Sequence, residues 1–179
     1  MGENEKEANL IPEEISRYAR HLSLPEIGLK GQKKLKNSSV ITIGTGGLGS
    51  PLLIYLAAAG IGRIGIVDFD LVEDSNLQRQ IIHTTTSIGT EKTDSAKKHL
   101  LKINPYCQID LFNLQLNQHN ALDILNEYDV ICDCSDNFPT RYLINDFTQS
   151  NPYPSAISIN ISRDSDNLEK LLKPILKDF

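Results

Sequence analysis

No apolar run in this sequence approaches the length needed to cross a bilayer as a helix. Basic residues are not in excess either. With 18 Lys and Arg against 23 Asp and Glu the formal net charge is −5, which excludes a general nucleic-acid binder, because such proteins displace phosphate counterions with a cationic face. Cysteine is scarce: Cys107, Cys132 and Cys134 form neither a CxxC pair nor a disulfide framework. That argues against a zinc clip and for a reducing, cytoplasmic home. His21, His83, His99 and His119 are scattered without partners at ligand spacing, so surface or helix-packing roles are expected of them. The opening MGENEKEANLIPEE lacks the apolar core of a secretory leader, and Lys6 stands where N-myristoylation wants Ser or Thr. There is no internal repeat and no low-complexity tract. What is present, 40% apolar and 23% charged residues in a chain of 179, suits one globular domain with a substantial core.

Periodicity organises the chain into alternating elements. Glu13 to Leu22 has helical spacing at Ile15, Tyr18, Ala19 and Leu22, and Gln32 to Lys36 reads as a second short helix. Ser39-Val-Ile-Thr-Ile-Gly44 is a β-rich run ending in a glycine turn, as a buried strand should. Gly47 to Gly60 is a Leu- and Ala-rich helix closed by glycine. Strands at 63–67, 108–112 and 129–132 then alternate with helices at 91–103, 121–126 and 139–147. This order implies parallel pairing through right-handed crossovers, hence a doubly wound, Rossmann-like α/β sheet with extra N-terminal helices. Cys132 and Cys134 then share one face of a strand end, and Cys107 reads as a buried small hydrophobe. Residues 1–147 form the expected nucleotide-binding domain and 148–179 an atypical tail. In the tail, Thr148–Pro154 reads as a loop and Ser155–Asn160 as a strand. Leu168 to Leu176 keeps helical spacing, with a stop near Lys173 imposed by Pro174.

Gly44-Thr-Gly46-Gly47-Leu-Gly49 matches GxGxxG and lies directly between a strand and a helix. Glycines there allow a tight turn and close approach of backbone amides to a phosphate, while the helix N-terminus adds positive potential. Asp68, at the end of the next strand, stands where a ribose hydroxyl is expected to be bound. On this pattern the glycines could equally serve to pack helix against sheet, and the nucleotide could be NAD or ATP. Arg79 and Lys92 favour a triphosphate, since charge grows on a pyrophosphate leaving group. By spacing alone, Lys92 reads equally as a solvated helix lysine, and Asp136 as a cap of the following helix.

A longer series of motifs resembles the MoeB/ThiF family. It comprises Arg17-Tyr-Ala-Arg-His21, Leu24-Pro25, Gly28, Gly31-Gln-Lys-Lys-Leu35, the glycine loop, Tyr55-Leu-Ala57, Ala59-Gly60 and Asp68-Phe-Asp70. It continues through Ser75-Asn-Leu-Gln-Arg-Gln80, Gly89, Lys92, Asn104-Pro105, Cys134-Ser-Asp-Asn137 and Arg141. The resemblance runs from Ile15 to Phe147. It implies ATP-dependent adenylation of the C-terminal Gly-Gly carboxylate of a small ubiquitin-like sulfur carrier, MoaD- or ThiS-like, with Mg²⁺. Molybdopterin biosynthesis is favoured over thiamine synthesis or tRNA thiolation.

The same resemblance assigns Gly44, Gly46, Gly47, Gly49, Asp68, Ser75, Asn76, Leu77, Gln78, Arg79, Lys92, Asp136 and Asn137 to the nucleotide. Asn76, Arg79 and Lys92 would take the triphosphate and Asp136 the magnesium. Arg79, Lys92, Asp136 and Arg20 would be the catalytic set, Arg20 reaching into the neighbouring subunit of a homodimer. Beyond Phe147 the family's crossover loop and zinc-binding CxxC pairs are not recognisable. The alternatives are a non-catalytic remnant that binds ATP or a partner, and a tail that closes the sheet in place of those parts. A nicotinamide-dependent dehydrogenase is a more distant third.

Overall fold

A computed structural model describes residues 9–150 and 155–158. The parallel sheet has the order β3-β2-β1-β4-β5, from β1 (Ser39–Ile43), β2 (Arg63–Val67), β3 (Gln108–Phe112), β4 (Val130–Asp133) and β5 (Ser155–Ser158). The strands stay in continuous register, Ser39 opposite Arg63 and Val40 opposite Val130. Reversal of strand order between β1 and β4 is the doubly wound signature, and it opens a crevice at the carboxyl ends of those two strands.

The strands read as unbroken apolar runs because both their faces are covered. Val40, Ile64, Ile66 and Cys132 face α4 (Gly49–Ala59) and α5 (Lys92–Ile103), packing with Leu52, Leu53, Leu56, Ala96 and Leu100. Ile41, Ile43, Val67 and Ile131 face the other way, against α6 (Ala121–Leu125) and α7 (Phe138–Ser150). Cys134 lies in the same cluster as Cys132, as their spacing implies, and Cys107 is buried there too. All three cysteines are free thiols, and burial pushes the Cys132 pKa up to about 12 and that of Cys107 to about 11. They are packing residues, not nucleophiles.

The expected N-terminal helix is divided into α1 (Pro12–Arg17) and α2 (Ala19–Leu22) by a turn at Tyr18. The turn falls where a long-range bond acts: the buried Tyr18 hydroxyl accepts from Asn104 Nδ2 at 2.7 Å, and that nitrogen also donates to the Ala57 carbonyl at 2.7 Å. The next helix, α3 (Gly28–Asn37), starts earlier than its apolar spacing suggested. Its Gln32 accepts from or donates to His21 Nδ1 at 2.8 Å and donates to the Ala59 carbonyl at 2.9 Å. These bonds dock the N-terminal helices on the end of α4 away from the crevice.

The tail corrects one expectation. Thr148–Ser150 belong to α7 and not to a loop, the Thr148 hydroxyl bonding back to the Ile144 carbonyl at 3.0 Å; the rest of the expected loop, 151–154, lies outside the described residues. The expected strand is present as β5, paired with β4 at the sheet edge. The helix read at Leu168–Leu176 and its stop at Pro174 lie outside the described residues. Among the described residues no helix is long and apolar enough to cross a membrane.

Candidate functional site

The loops that leave β1, β2 and β4 surround a cavity of about 890 Å³, a volume within the usual range for small-molecule sites. The glycine loop forms one wall. Gly44 has φ of +95°, and a Cβ there would stand 3.0 Å from the Cys134 carbonyl oxygen. Only glycine takes that conformation without strain. α4 then begins at Gly49 with no capping side chain and no acidic residue in its first turn; the Ser50 amide is taken by the Gly46 carbonyl at 2.9 Å and Pro51 has none, so the Gly49 amide and the positive dipole end remain for an anion.

Asp68 ties the next loop to this one. Its Oδ2 accepts from the Thr45 amide at 2.8 Å and hydroxyl at 2.7 Å, and its Oδ1 accepts from the Asp70 amide at 3.0 Å. Oδ2 is thereby fully used, while Oδ1 keeps a further lone pair for a ligand hydroxyl. Lys92 opens α5, and its side chain is only 7% exposed, with Nζ 2.7 Å from Oδ2 of the half-exposed Asp70. It is therefore a buried, held charge and not one of the solvated lysines of that helix. Arg79 lies across the glycine loop: a Cβ on Gly47 would stand 3.6 Å from its Cγ, and its Nη1 donates to the Ser75 carbonyl at 3.1 Å. From the far side, Arg141 Nη2 donates to the Ser135 carbonyl at 2.8 Å. Asn137, not Asp136, caps α7, its Oδ1 accepting from the Thr140 amide at 3.0 Å. Asp136 is exposed and makes no hydrogen bond or ion pair among the described residues.

Of the residues singled out from the sequence, Gly44, Gly46, Gly47, Asp68, Arg79, Lys92, Asp136 and Asn137 line this one cavity. Gly49 packs behind it. Ser75, Asn76, Leu77 and Gln78 do not line it: Asn76 is buried in a 3₁₀ turn with Oδ1 turned back to the Glu73 amide at 3.1 Å, and Gln78 is exposed. Arg20 is exposed on α2, outside the cavity of its own chain. Asp70, Gln80, Arg141 and the Leu114–Leu116 segment after β3 also line it, and residue spacing had given them no role. The signal for Asp70, Gln80 and Arg141 lay in the family motifs that contain them, whereas Leu114–Leu116 belongs to none of those motifs.

The model of the ThiF family matches residues 18–158, most of the chain and every strand among the described residues. The chain belongs to the ThiF family. It is 55% identical over 134 residues to a Porphyra purpurea protein named "Probable molybdopterin-synthase adenylyltransferase", covering 75% of this chain and 35% of that one. It is 50% identical over 134 residues to the "Sulfur carrier protein adenylyltransferase" of Thermus thermophilus, covering 75% of this chain and 49% of the relative. The crystal structure of E. coli MccB with ATP superposes with a TM-score of 0.69 at 29% identity, covering 88% of this chain and 46% of that one. This ThiF-family chain thus spans between 30% and about half of the length of the curated relatives it matches.

One buried histidine beside the cavity gives the ThiF-family chain a pH-dependent stability. His83 is 5% exposed, and its Nδ1 lies 2.9 Å from the Ser95 hydroxyl. Burial, then the neighbouring Lys92 charge, lowers its pKa from 6.5 to about 4, against the opposing pull of Asp68 and the Thr45 backbone. Between those values the unfolded chain binds the proton and the folded chain does not, so stability rises with pH across this window and falls on acidification. Moving from pH 7 to about pH 4.5 is expected to cost the wild type about 2 kcal/mol more than it costs His83→Gln. Urea denaturation of both proteins at the two pH values checks this; equal losses would show that His83 does not carry the effect.

Proposed function

We propose that this chain binds ATP in the cavity and adenylates the C-terminal Gly-Gly carboxylate of a small ubiquitin-like sulfur-carrier protein, in molybdopterin biosynthesis. The observation that carries this reading is the convergence of a glycine loop, an uncapped helix N-terminus and the cations Arg79, Lys92 and Arg141 on one cavity. A hydride-transfer site has no comparable need for that charge. The names of the Porphyra and Thermus relatives and the ATP held by MccB support the same chemistry.

In the reaction a carboxylate oxygen of the carrier attacks the α-phosphorus. The new O–P bond forms as the bond from the α-phosphorus to the bridging oxygen breaks, and pyrophosphate leaves with the electron pair. No proton is transferred, so the protein supplies position and charge. Arg79 offers a planar fork to phosphate oxygens and Lys92 a point charge, while the remaining lone pair of Asp68 Oδ1 holds the ribose. Asp136 fits Mg²⁺, because an exposed carboxylate with no protein partner is a hard oxygen donor, and Mg²⁺ takes one or two carboxylates plus phosphates and waters. When bound, the ion neutralises charge on the phosphates. Arg20, exposed and remote from its own cavity, serves the cavity of a partner subunit in a homodimer. The free, buried cysteines fit a cytoplasmic protein.

ATP–pyrophosphate exchange with labelled pyrophosphate, Mg²⁺ and candidate Gly-Gly-ended carriers, one at a time, tests the proposal. Exchange dependent on one carrier is expected and identifies the pathway. ATP binding without exchange by any carrier would reduce the chain to a nucleotide-binding module.

A further inference from the structure

Gln80 is 4% exposed, yet its side chain lines the ligand cavity. Its Oε1 is fully buried without a hydrogen-bond partner, and among the described residues no protein group bonds either atom of the amide. The backbone, by contrast, is held at both ends: the Gln80 amide donates to the Asn76 carbonyl at 2.9 Å, and its carbonyl accepts from the His83 amide at 3.1 Å. Side-chain Nε2 lies 3.9 Å from where a Cβ on Gly46 would stand, while the preceding Arg79 covers Gly47. Two consecutive side chains thus overlie two consecutive glycines of the loop. Buried polar side chains are normally paired, and a Met of similar length would fill this space without a desolvation cost. Nε2 is not fully buried and lies beside Gly46 at the cavity without a protein partner, so it is the atom of this amide that a cavity ligand can reach, while Oε1 stays enclosed among protein atoms.

We infer that Gln80 is a further nucleotide-binding residue, whose Nε2 donates to a phosphate oxygen of ATP over Gly46. Phosphate oxygens only accept, and of the two amide atoms only Nε2 donates. The contact therefore reads phosphate without adding charge to a cavity already supplied by Arg79, Lys92 and Arg141. The inference rests on the ATP reading above.

Titration calorimetry of the full chain with ATP, competition with adenosine, and thermal melting of the ligand-free protein test it in Gln80→Met and Gln80→Glu. Gln80→Met is expected to lose roughly 10- to 100-fold in ATP affinity, the size of one hydrogen bond to a charged group. Its adenosine affinity stays unchanged, and its ligand-free melting temperature is equal to or above that of the wild type, because an unpaired buried polar group has been removed. Gln80→Glu loses more ATP affinity, its carboxylate repelling phosphate. Wild-type ATP affinity in Gln80→Met would overturn the inference and leave the ATP reading intact. Equal losses for ATP and adenosine, or a lower ligand-free melting temperature, would show a structural role and also overturn it. A wild-type chain that binds no ATP would remove the functional reading and this inference with it.

Discussion

Lys92→Met is expected to lower carrier-dependent ATP–pyrophosphate exchange by roughly 10²- to 10³-fold, the usual effect of removing one preorganised charge from a transition state. The size follows from burial. The side chain is 7% exposed and its ammonium is already fixed 2.7 Å from Asp70, so it acts in a region of reduced dielectric and needs no reorganisation when charge develops on the leaving pyrophosphate. Folding should survive the change. Asp70 is half exposed, so water solvates its carboxylate once the partner is gone, and Met keeps most of the buried methylene volume. The neighbouring His83 also loses a repelling charge. Exchange rates beside melting curves decide the matter: loss of exchange with an unmoved melting temperature supports the assignment. Wild-type exchange in Lys92→Met would remove Lys92 from the site.

Gly49→Ala is expected to destabilise the fold by roughly 3 kcal/mol and to abolish ATP binding, the upper part of the range for overpacking a close contact. On helix propensity alone the substitution would be favourable by up to about 1 kcal/mol. Close contact decides otherwise, because a Cβ at Gly49 would stand 2.0 Å from the Gly44 carbonyl oxygen and 2.9 Å from its carbon. Both are backbone atoms, so no rotamer change relieves the clash and the glycine loop itself must move. Gly47→Ala is the matched control: its Cβ would meet only Arg79 methylenes at 3.6–4.0 Å, ordinary contact distances. Urea denaturation should show Gly49→Ala well below the wild type and Gly47→Ala close to it; a wild-type midpoint for Gly49→Ala would contradict the packing argument. The packing reading of the glycine loop thus applies at one position and not at the others. Gly49 packs helix against strand, while Gly44, Gly46 and Gly47 face the cavity.

Strand positions were legible because β-branched runs such as Val40-Ile-Thr-Ile43 and Ile64-Gly-Ile-Val67 carry their signal in adjacent residues. The glycine loop was legible for the same reason, lying between one such run and a Leu- and Ala-rich helix. The break at Tyr18 was not, since helical spacing continues through it and the hydroxyl there bonds to Asn104, 86 residues away. Nor could spacing tell that Thr148 stays helical or that Asn137, and not its neighbour Asp136, takes the cap.

The sequence by itself determined the α/β alternation, the placement of the glycine loop between β1 and α4, and Asp68 at the end of β2, because period, β-branching and turn chemistry act over a few consecutive residues. Only the tertiary structure decided that β4 lies beside β1, that Lys92 is buried against Asp70, and that Gln80 and Arg141 reach the cavity while Ser75 to Gln78 do not. Those outcomes depend on which strand ends meet at the crevice and on which side chains lose contact with water there, and both are properties of the packed sheet rather than of any local segment.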